Sequence, residues 1–188
     1  MVTALSLWEI PDGYERVTLT EANHLLRDTH YLGATHRGTY AFGQHDAGAL
    51  VACQIWNGNP SARHLPQDGT WLELARWCLT PAAGLNAGSR MHKWVRRWLL
   101  ANVPDATTLV SYSDPSQGHT GALYRACNWT WAPTWHRLRP PPSGNGSWTS
   151  GVTQSVKDRW VFALRSDAGR AEVLRIKDSA IAKAVAGW

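Results

Sequence analysis

The 188-residue sequence lacks most of the signals that fix a class at once. It holds no run of about 18 apolar residues, so no membrane span is expected. Its three cysteines, Cys53, Cys78 and Cys127, are an odd number without Cys-x-x-Cys spacing. That excludes a disulfide framework and a cysteine-rich zinc site, and leaves reduced core thiols, as in a cytoplasmic protein. There is no His-x-Glu followed by Pro-Cys-x-x-Cys, so a zinc deaminase is excluded on motif. The Gly-x-Ser-x-Gly elbow, the P-loop and His-Glu-x-x-His are absent too. No internal repeat and no low-complexity domain occurs. The opening Met1-Val-Thr-Ala-Leu-Ser-Leu-Trp8 places no charged region before an apolar core, so no signal peptide is expected.

What is present suits one globular domain over residues 1–188. Hydrophobic residues make up 44% and charged residues 18%, enough for a real core at this length. The net charge of +5 suits a polyanionic partner, and equally an ordinary basic protein. Twelve tryptophans supply core volume and flat surfaces on which bases stack.

Taken in order, residues 1–19 read as a leading strand segment with a turn at Pro11-Asp12-Gly13. Thr20 to Asp28 reads as a helix capped at Thr20 or slightly before. Thr39–Gly43 and Ala49–Trp56 read as strands, with His45-Asp-Ala-Gly48 as the hairpin between them. Trp71–Leu79 reads as a central strand. A small-residue loop, Thr80–Gly88, then feeds a helix whose buried face is Met91, Trp94, Val95, Trp98 and Leu99. Thr107–Tyr112 is a strand stopped by Asp114-Pro115. Gln117–Gly121 is a permissive turn, followed by a short helix over Ala122–Asn128 capped by Thr120. Trp129–Leu138 reads as a strand region broken near Pro133. Residues 139–151, rich in Pro, Gly and Ser, read as a mobile loop. Asp158–Arg165 reads as a last strand and residues 171–187 as a C-terminal helix.

The run Tyr112-Ser-Asp-Pro-Ser-Gln-Gly-His-Thr-Gly-Ala-Leu-Tyr-Arg-Ala126 gathers an acid, a histidine and a tyrosine at one strand–loop–helix junction, where open α/β sheets put ligands. It resembles the signature of the Mom family of phage DNA-modification proteins, divergent relatives of the GCN5-type N-acetyltransferases. His30-Tyr31-Leu32-Gly33, Leu72–Cys78 and Asn86-Ala-Gly-Ser89 match further pieces in the same order, so the resemblance spans about residues 24 to 138. It implies an α/β (α+β) acetyltransferase-like (GNAT) fold, a mixed, mostly antiparallel twisted sheet flanked by helices. It also implies conversion of adenine N6 in double-stranded DNA to the N6-carbamoylmethyl (acetamido) form, with acetyl-CoA as donor, shielding phage DNA from host restriction in the host cytoplasm. Two other readings are open: an N-acetyltransferase for a small amine or protein, and a non-catalytic DNA-binding protein.

The residues carry their own alternatives. Gly84-Leu-Asn-Ala-Gly-Ser89 departs from the usual coenzyme A loop, Gln/Arg-x-x-Gly-x-Gly/Ala. It either grips pyrophosphate through Asn86, Ala87, Gly88 and Ser89, beside Leu79, or is a plain loop with a serine cap. Arg76 lies amid Leu72, Leu74, Trp77 and Leu79 and needs a pocket or a partner: it either lines the cavity and meets a cofactor phosphate, or pairs with Asp114, or is an arginine on an exposed face. Parity places Glu73 on the opposite strand face. The resemblance implies that Tyr124 protonates the departing thiolate and that Asp114 holds the base or takes a proton. From the residues alone, Tyr124 is core packing and Asp114 an Asx turn before Pro115. His30, beside Tyr31, is a base, a stacking partner, a metal ligand or a surface residue, and His119 a loop donor or a catalyst. Ser113, Tyr40 and Arg63 complete the candidate substrate contacts, with Trp129, Trp131 and Trp135 as further walls and Arg137 and Arg139 as phosphate contacts. Members of the family are linked to iron, so Fe(II) is a second candidate cofactor.

Overall fold

The computed structural model describes residues 13–132, 157–165 and 168–185. The described strands are β1 (Tyr14–Arg16), β2 (Tyr40–Asp46), β3 (Ala49–Asn57), β4 (Trp71–Leu79), β5 (Thr108–Ser113), β6 (Thr130–Ala132) and β7 (Asp158–Ala163). The helices are α1 (Leu19–Thr29), α2 (Ala87–Asn102), α3 (Ala122–Ala126) and α4 (Ala168–Val185). One mixed sheet runs β1-β2-β3-β4-β5-β7-β6. Only the β4–β5 pair is parallel; the others are antiparallel. No helix among the described residues is long and apolar enough to cross a membrane. The expected strand beyond Ala132, the loop 139–151, and Trp135, Arg137 and Arg139 lie outside the described residues.

Local chemistry explains where elements begin. Helix α1 is capped by Thr18, slightly before Thr20, because Thr18 and Glu21 cap each other. The Thr18 hydroxyl accepts the Glu21 N–H at 3.1 Å and a Glu21 carboxylate oxygen accepts the Thr18 N–H at 2.8 Å, an exchange worth about 1 kcal/mol. The β2–β3 hairpin is tighter than expected. It turns on Ala47 and Gly48, both at positive φ, as a two-residue type I′ loop demands, so β2 continues through His45 and Asp46. Thr120 does not cap α3. Gly121 holds that place in a left-handed conformation, without a side-chain cap.

Helix α2 covers one face of the sheet and α1 and α4 the other. Met91, Val95 and Leu99 are fully buried with Phe42, Trp56, Leu72 and Leu109, each large side chain contributing about 1.5–3 kcal/mol. Across the sheet, Ala22 and Leu26 of α1 pack on Ala41, Cys53, Ile55 and Cys78. Val173 and Ile176 of α4 pack on Val110 and Val161.

Two irregularities in β4 create the site. Ile55 pairs with Arg76, yet Trp56 pairs with Leu74, so Ala75 is an extra, bulged residue. The bulge resets the alternation of side chains. Glu73 and Arg76, expected on opposite faces, therefore share one. The second irregularity is that β4 pairs with β5 only from Trp71 to Leu74, opposite Thr108 to Ser111, while β4 itself continues to Leu79. Beyond Leu74 and Ser111 the two parallel strands part.

Candidate active site

The parted strands frame a cavity of about 660 Å³, within the usual range of roughly 300–1,000 Å³ for ligand pockets. Because the sheet is open there, residues from both of its faces reach the same space. Trp77, Ser111 and Tyr124 come from the α2 face. Glu73, Arg76 and Tyr112 come from the other, with His30 and Tyr31 from the loop after α1, Ser61 and Ala62 from the β3–β4 loop, and His119 and Lys157 at the rim.

Tyr124 is held on four sides. Its ring stacks on Trp160 with centroids 5.2 Å apart and an interplanar angle of 7°. Trp77 and Trp129 meet it edge-on at 5.7 and 5.6 Å. Its hydroxyl lies 2.9 Å from Ser111 Oγ. Ser111 donates its one proton to the Leu74 carbonyl at 2.8 Å, so Tyr124 must be the donor in that contact. Burial pushes the Tyr124 phenol up to about 12, with the Ser111 bond opposing. The phenol is thus protonated at neutral pH, and full transfer of its proton to a thiolate with a pKa near the ordinary ~8.5 is uphill. Its chemistry is hydrogen-bond donation to developing negative charge.

Gly121 makes this placement possible. It has a φ of +74°, and a Cβ there would lie 2.0 Å from Trp160 Cζ2. Trp160 in turn donates its indole N–H to Ser113 Oγ at 2.9 Å. Ser113 is therefore in the cavity wall, its oxygen accepting from Trp160 and its hydroxyl proton not used by that bond.

On the opposite side, Tyr31 is 40% exposed, stacked on His30 at 5.0 Å and edge-on to His119 at 5.1 Å. Burial, together with the positive charge of Arg76, pulls the His30 pKa down to about 4. His30 Nδ1 accepts the Leu32 N–H at 3.2 Å, so the neutral ring carries its proton on Nε2. That tautomer offers a donor to the cavity, which favours a positioning role over that of a base. Arg76 donates Nε–H to the Gly33 carbonyl at 3.4 Å and Nη1–H to the Ala75 carbonyl at 2.8 Å, and its other three N–H groups have no hydrogen bond among the described residues. One Glu73 oxygen accepts the Ser61 N–H.

Other expected contacts lie elsewhere. Asp114 is buried, with 2% exposure. It accepts the Ser116 N–H at 3.0 Å and the Ser116 hydroxyl at 2.6 Å through Oδ1, capping the 3₁₀ turn Pro115–Gln117. It is behind the cavity lining rather than in it, although its charge reaches Tyr31 and helps raise that phenol's pKa, after burial. Tyr40 packs on Trp98 at 5.6 Å under the Arg16 guanidinium, outside the cavity. Arg63 is exposed in the β3–β4 loop; its neighbours Ser61 and Ala62 line the cavity instead.

The loop into α2 is shaped by Gly84 and Asn86, both at positive φ. Asn86 provides no side-chain cap, and Ser89 donates its hydroxyl to the Asn86 carbonyl at 3.0 Å. The amides of Gly88 and Ser89 have no hydrogen-bond partner among the described residues. A Cβ on Gly88 would sit 2.7 Å from Leu123 and 2.9 Å from Leu79, so the glycine lets β4, α2 and α3 close on one another. Beside it a second cavity of about 240 Å³ is lined by Ser89, Arg90, Lys93, Arg96 and Asn128. Arg90 and Lys93 stand in the first two turns of α2, where the helix dipole disfavours cations.

The sequence profile of the Mom protein family matches residues 14–149, well over half of the chain. The chain belongs to the Mom protein family. No curated protein matches it. Among solved structures, an acetyltransferase-like protein of Salmonella typhimurium, yncA, described with its cofactor acetyl-CoA, covers 82% of this chain and 95% of its own, at 9% identity and a TM-score of 0.56. The GNAT domain of S. lividans PAT covers 80% and 89% at 9% identity and a TM-score of 0.55. A GNAT-like decarboxylase, GphF, in complex with isobutyryl-CoA, covers 81% and 99% at 15% identity and a TM-score of 0.55. At these identities the likeness shows the fold: this Mom protein has the GNAT acetyltransferase fold.

The free amides at the α2 N-terminus, next to a cavity lined by cations, fit the pyrophosphate end of a coenzyme A thioester. Iron finds no such support. No group of three or more His, Cys, Asp or Glu among the described residues is placed to hold a metal ion. Sequence reasoning missed Glu73, Ser111 and Lys157 as cavity residues. Glu73 was open to detection as a carboxylate in an apolar strand. Ser111 and Lys157 gave no signal of their own.

Proposed function

We propose that this Mom protein is a coenzyme A-thioester-dependent transferase that modifies adenine N6 in double-stranded DNA to the N6-carbamoylmethyl form, protecting that DNA from restriction. The observation that carries the reading is a coincidence of place. Three of the four stretches that resemble the Mom family, His30–Gly33, Leu72–Cys78 and Tyr112–Ala126, converge on the gap between β4 and β5, and the fourth, Asn86–Ser89, borders the second cavity.

A thioester supplies an activated acyl group and a thiolate leaving group. Gly88, Ser89, Arg90 and Lys93 would hold its phosphates, and Tyr124 would donate a hydrogen bond to charge developing on sulfur. The target base would enter from the α1 side, flipped from the duplex at a cost of a few kcal/mol, with Tyr31 and His30 offering ring faces to offset it. N6 is a weak nucleophile, since its lone pair is delocalised into the ring. Plain acetyl transfer would leave an N6-acetyl group, so the carbamoylmethyl product requires chemistry beyond acyl transfer. The net charge of +5 favours DNA and makes binding salt-sensitive.

The test is nucleoside mass spectrometry of DNA from cells expressing the intact chain. A deoxyadenosine carrying the mass of a carbamoylmethyl group is the expected result. Unmodified DNA beside well-folded protein would overturn the reading and favour an N-acetyltransferase for a free amine.

A further inference from the structure

We infer that Glu73 and Arg76 together read the amino edge of the target base, which makes Glu73 a specificity-determining residue of the site; this rests on the proposed action on adenine. The bulge at Ala75 sets a carboxylate and a guanidinium on one face of β4, both in the cavity wall. Glu73 is 7% exposed. One of its oxygens holds the Ser61 N–H. The other, Oε1, has no hydrogen bond among the described residues. The two charges influence each other, yet no N···O approach of 4.0 Å or less joins them. An acceptor-only carboxylate and a donor-only guanidinium thus line one cavity without being bonded to each other.

That pairing of acceptor beside donor complements an amidine edge, an exocyclic N–H next to a ring nitrogen lone pair. Adenine presents this edge at N6 with N1 or N7, and cytosine presents it at N4 with N3. Guanine and thymine put a carbonyl where the amine would be, facing the Glu73 carboxylate with a second acceptor. A buried acceptor left facing an acceptor is costly, so a keto base held in the same orientation is disfavoured. The Ser61 bond serves this function: it fixes one oxygen to the β3–β4 loop and thereby aims the other.

The test compares deoxyadenosine with deoxyinosine, in which position 6 is a carbonyl and N1 carries a proton, so the pattern is inverted at both atoms. Binding to the full chain is followed by saturation-transfer NMR competition. The wild-type protein is expected to prefer deoxyadenosine by at least about tenfold. Glu73→Gln, which keeps an acceptor for Ser61 but offers an N–H to the cavity, should bring the ratio to within about twofold. A ratio that survives Glu73→Gln, in a chain that still modifies adenine in cells, overturns this inference and leaves the proposed function standing. A wild-type chain that modifies no adenine and binds neither nucleoside overturns both. If Glu73→Gln proves unstable in thermal melts, the wild-type ratio decides alone, and a value near one overturns the inference.

Discussion

Tyr124 shows how a residue is made to act by what surrounds it. Its ring is clamped by Trp160, Trp77 and Trp129, so only the hydroxyl is free to change partner. In the resting site that partner is Ser111; during reaction it would be the group on which charge develops. Tyr124→Phe keeps the clamp and deletes the donor. Turnover, measured as modified deoxyadenosine formed per unit time, should fall by about 10²–10³-fold, while the affinity for the thioester stays within about twofold. Equal losses in both would mean that the ring, not the hydroxyl, is what matters. Tyr124 was legible in the sequence because it falls in a specific motif. Glu73 was visible as a carboxylate in an apolar strand, but its place beside Arg76 was not, because parity along β4 assigns the two to opposite faces and a single-residue bulge leaves no composition signal. Asp114 was legible both as an Asx turn and as a catalyst, and its bonds to Ser116 display the first of those roles.

Among elements, the loop Gln117–Gly121 and helix α3 act as a mount for Tyr124, and the mount depends on one glycine. Gly121 and Gly118 share a φ of +74°, but only at Gly121 does a Cβ meet anything, Trp160 at 2.0 Å. Gly118→Ala therefore reports backbone strain alone and should cost about 1 kcal/mol. Gly121→Ala adds overpacking against the ring that stacks on Tyr124. Its cost in urea unfolding should reach about 2–5 kcal/mol, with loss of DNA modification in whatever protein remains folded. Similar costs for the two variants would show that Trp160 yields readily and does not fix the mount. The helices and central strands were readable from apolar spacing, as the burial of Met91, Val95 and Leu99 shows. The parting of β4 from β5 was not, since it depends on where a parallel ladder stops. That is decided by packing of the two strands against α2 and α3, not by either strand's own sequence.

For the molecule as a whole, the core is built around a neutral histidine. His92 is 1% exposed, on the same helix as the apolar stripe, and its Nε2 accepts the Trp129 indole N–H at 3.0 Å. Trp56, Trp77 and Phe162 surround the ring. Burial, with the nearby charge of Arg96, pulls its pKa down to about 3, and His30 is pulled down to about 4. The unfolded chain therefore binds protons that the folded chain refuses once the pH drops below about 6.5. Stability rises with pH through that range, so it is fully present above about 6.5 and is lost as the pH falls toward the folded values. Between pH 6.5 and 4.5, mostly above the carboxylate range, His92 should account for a loss of about 2–3 kcal/mol. His30 adds less, because solvent reaches it and screens its charge. Urea unfolding at pH 4.5, 5.5, 6.5 and 7.5 measures the slope. His92→Gln leaves an acceptor for Trp129 and removes the titration, so its stability should be lower than wild type at pH 7.5 and nearly flat across the same range. An equally steep slope in His92→Gln would locate the acid sensitivity in the carboxylates and His30, and would mean that the core tolerates a charged His92.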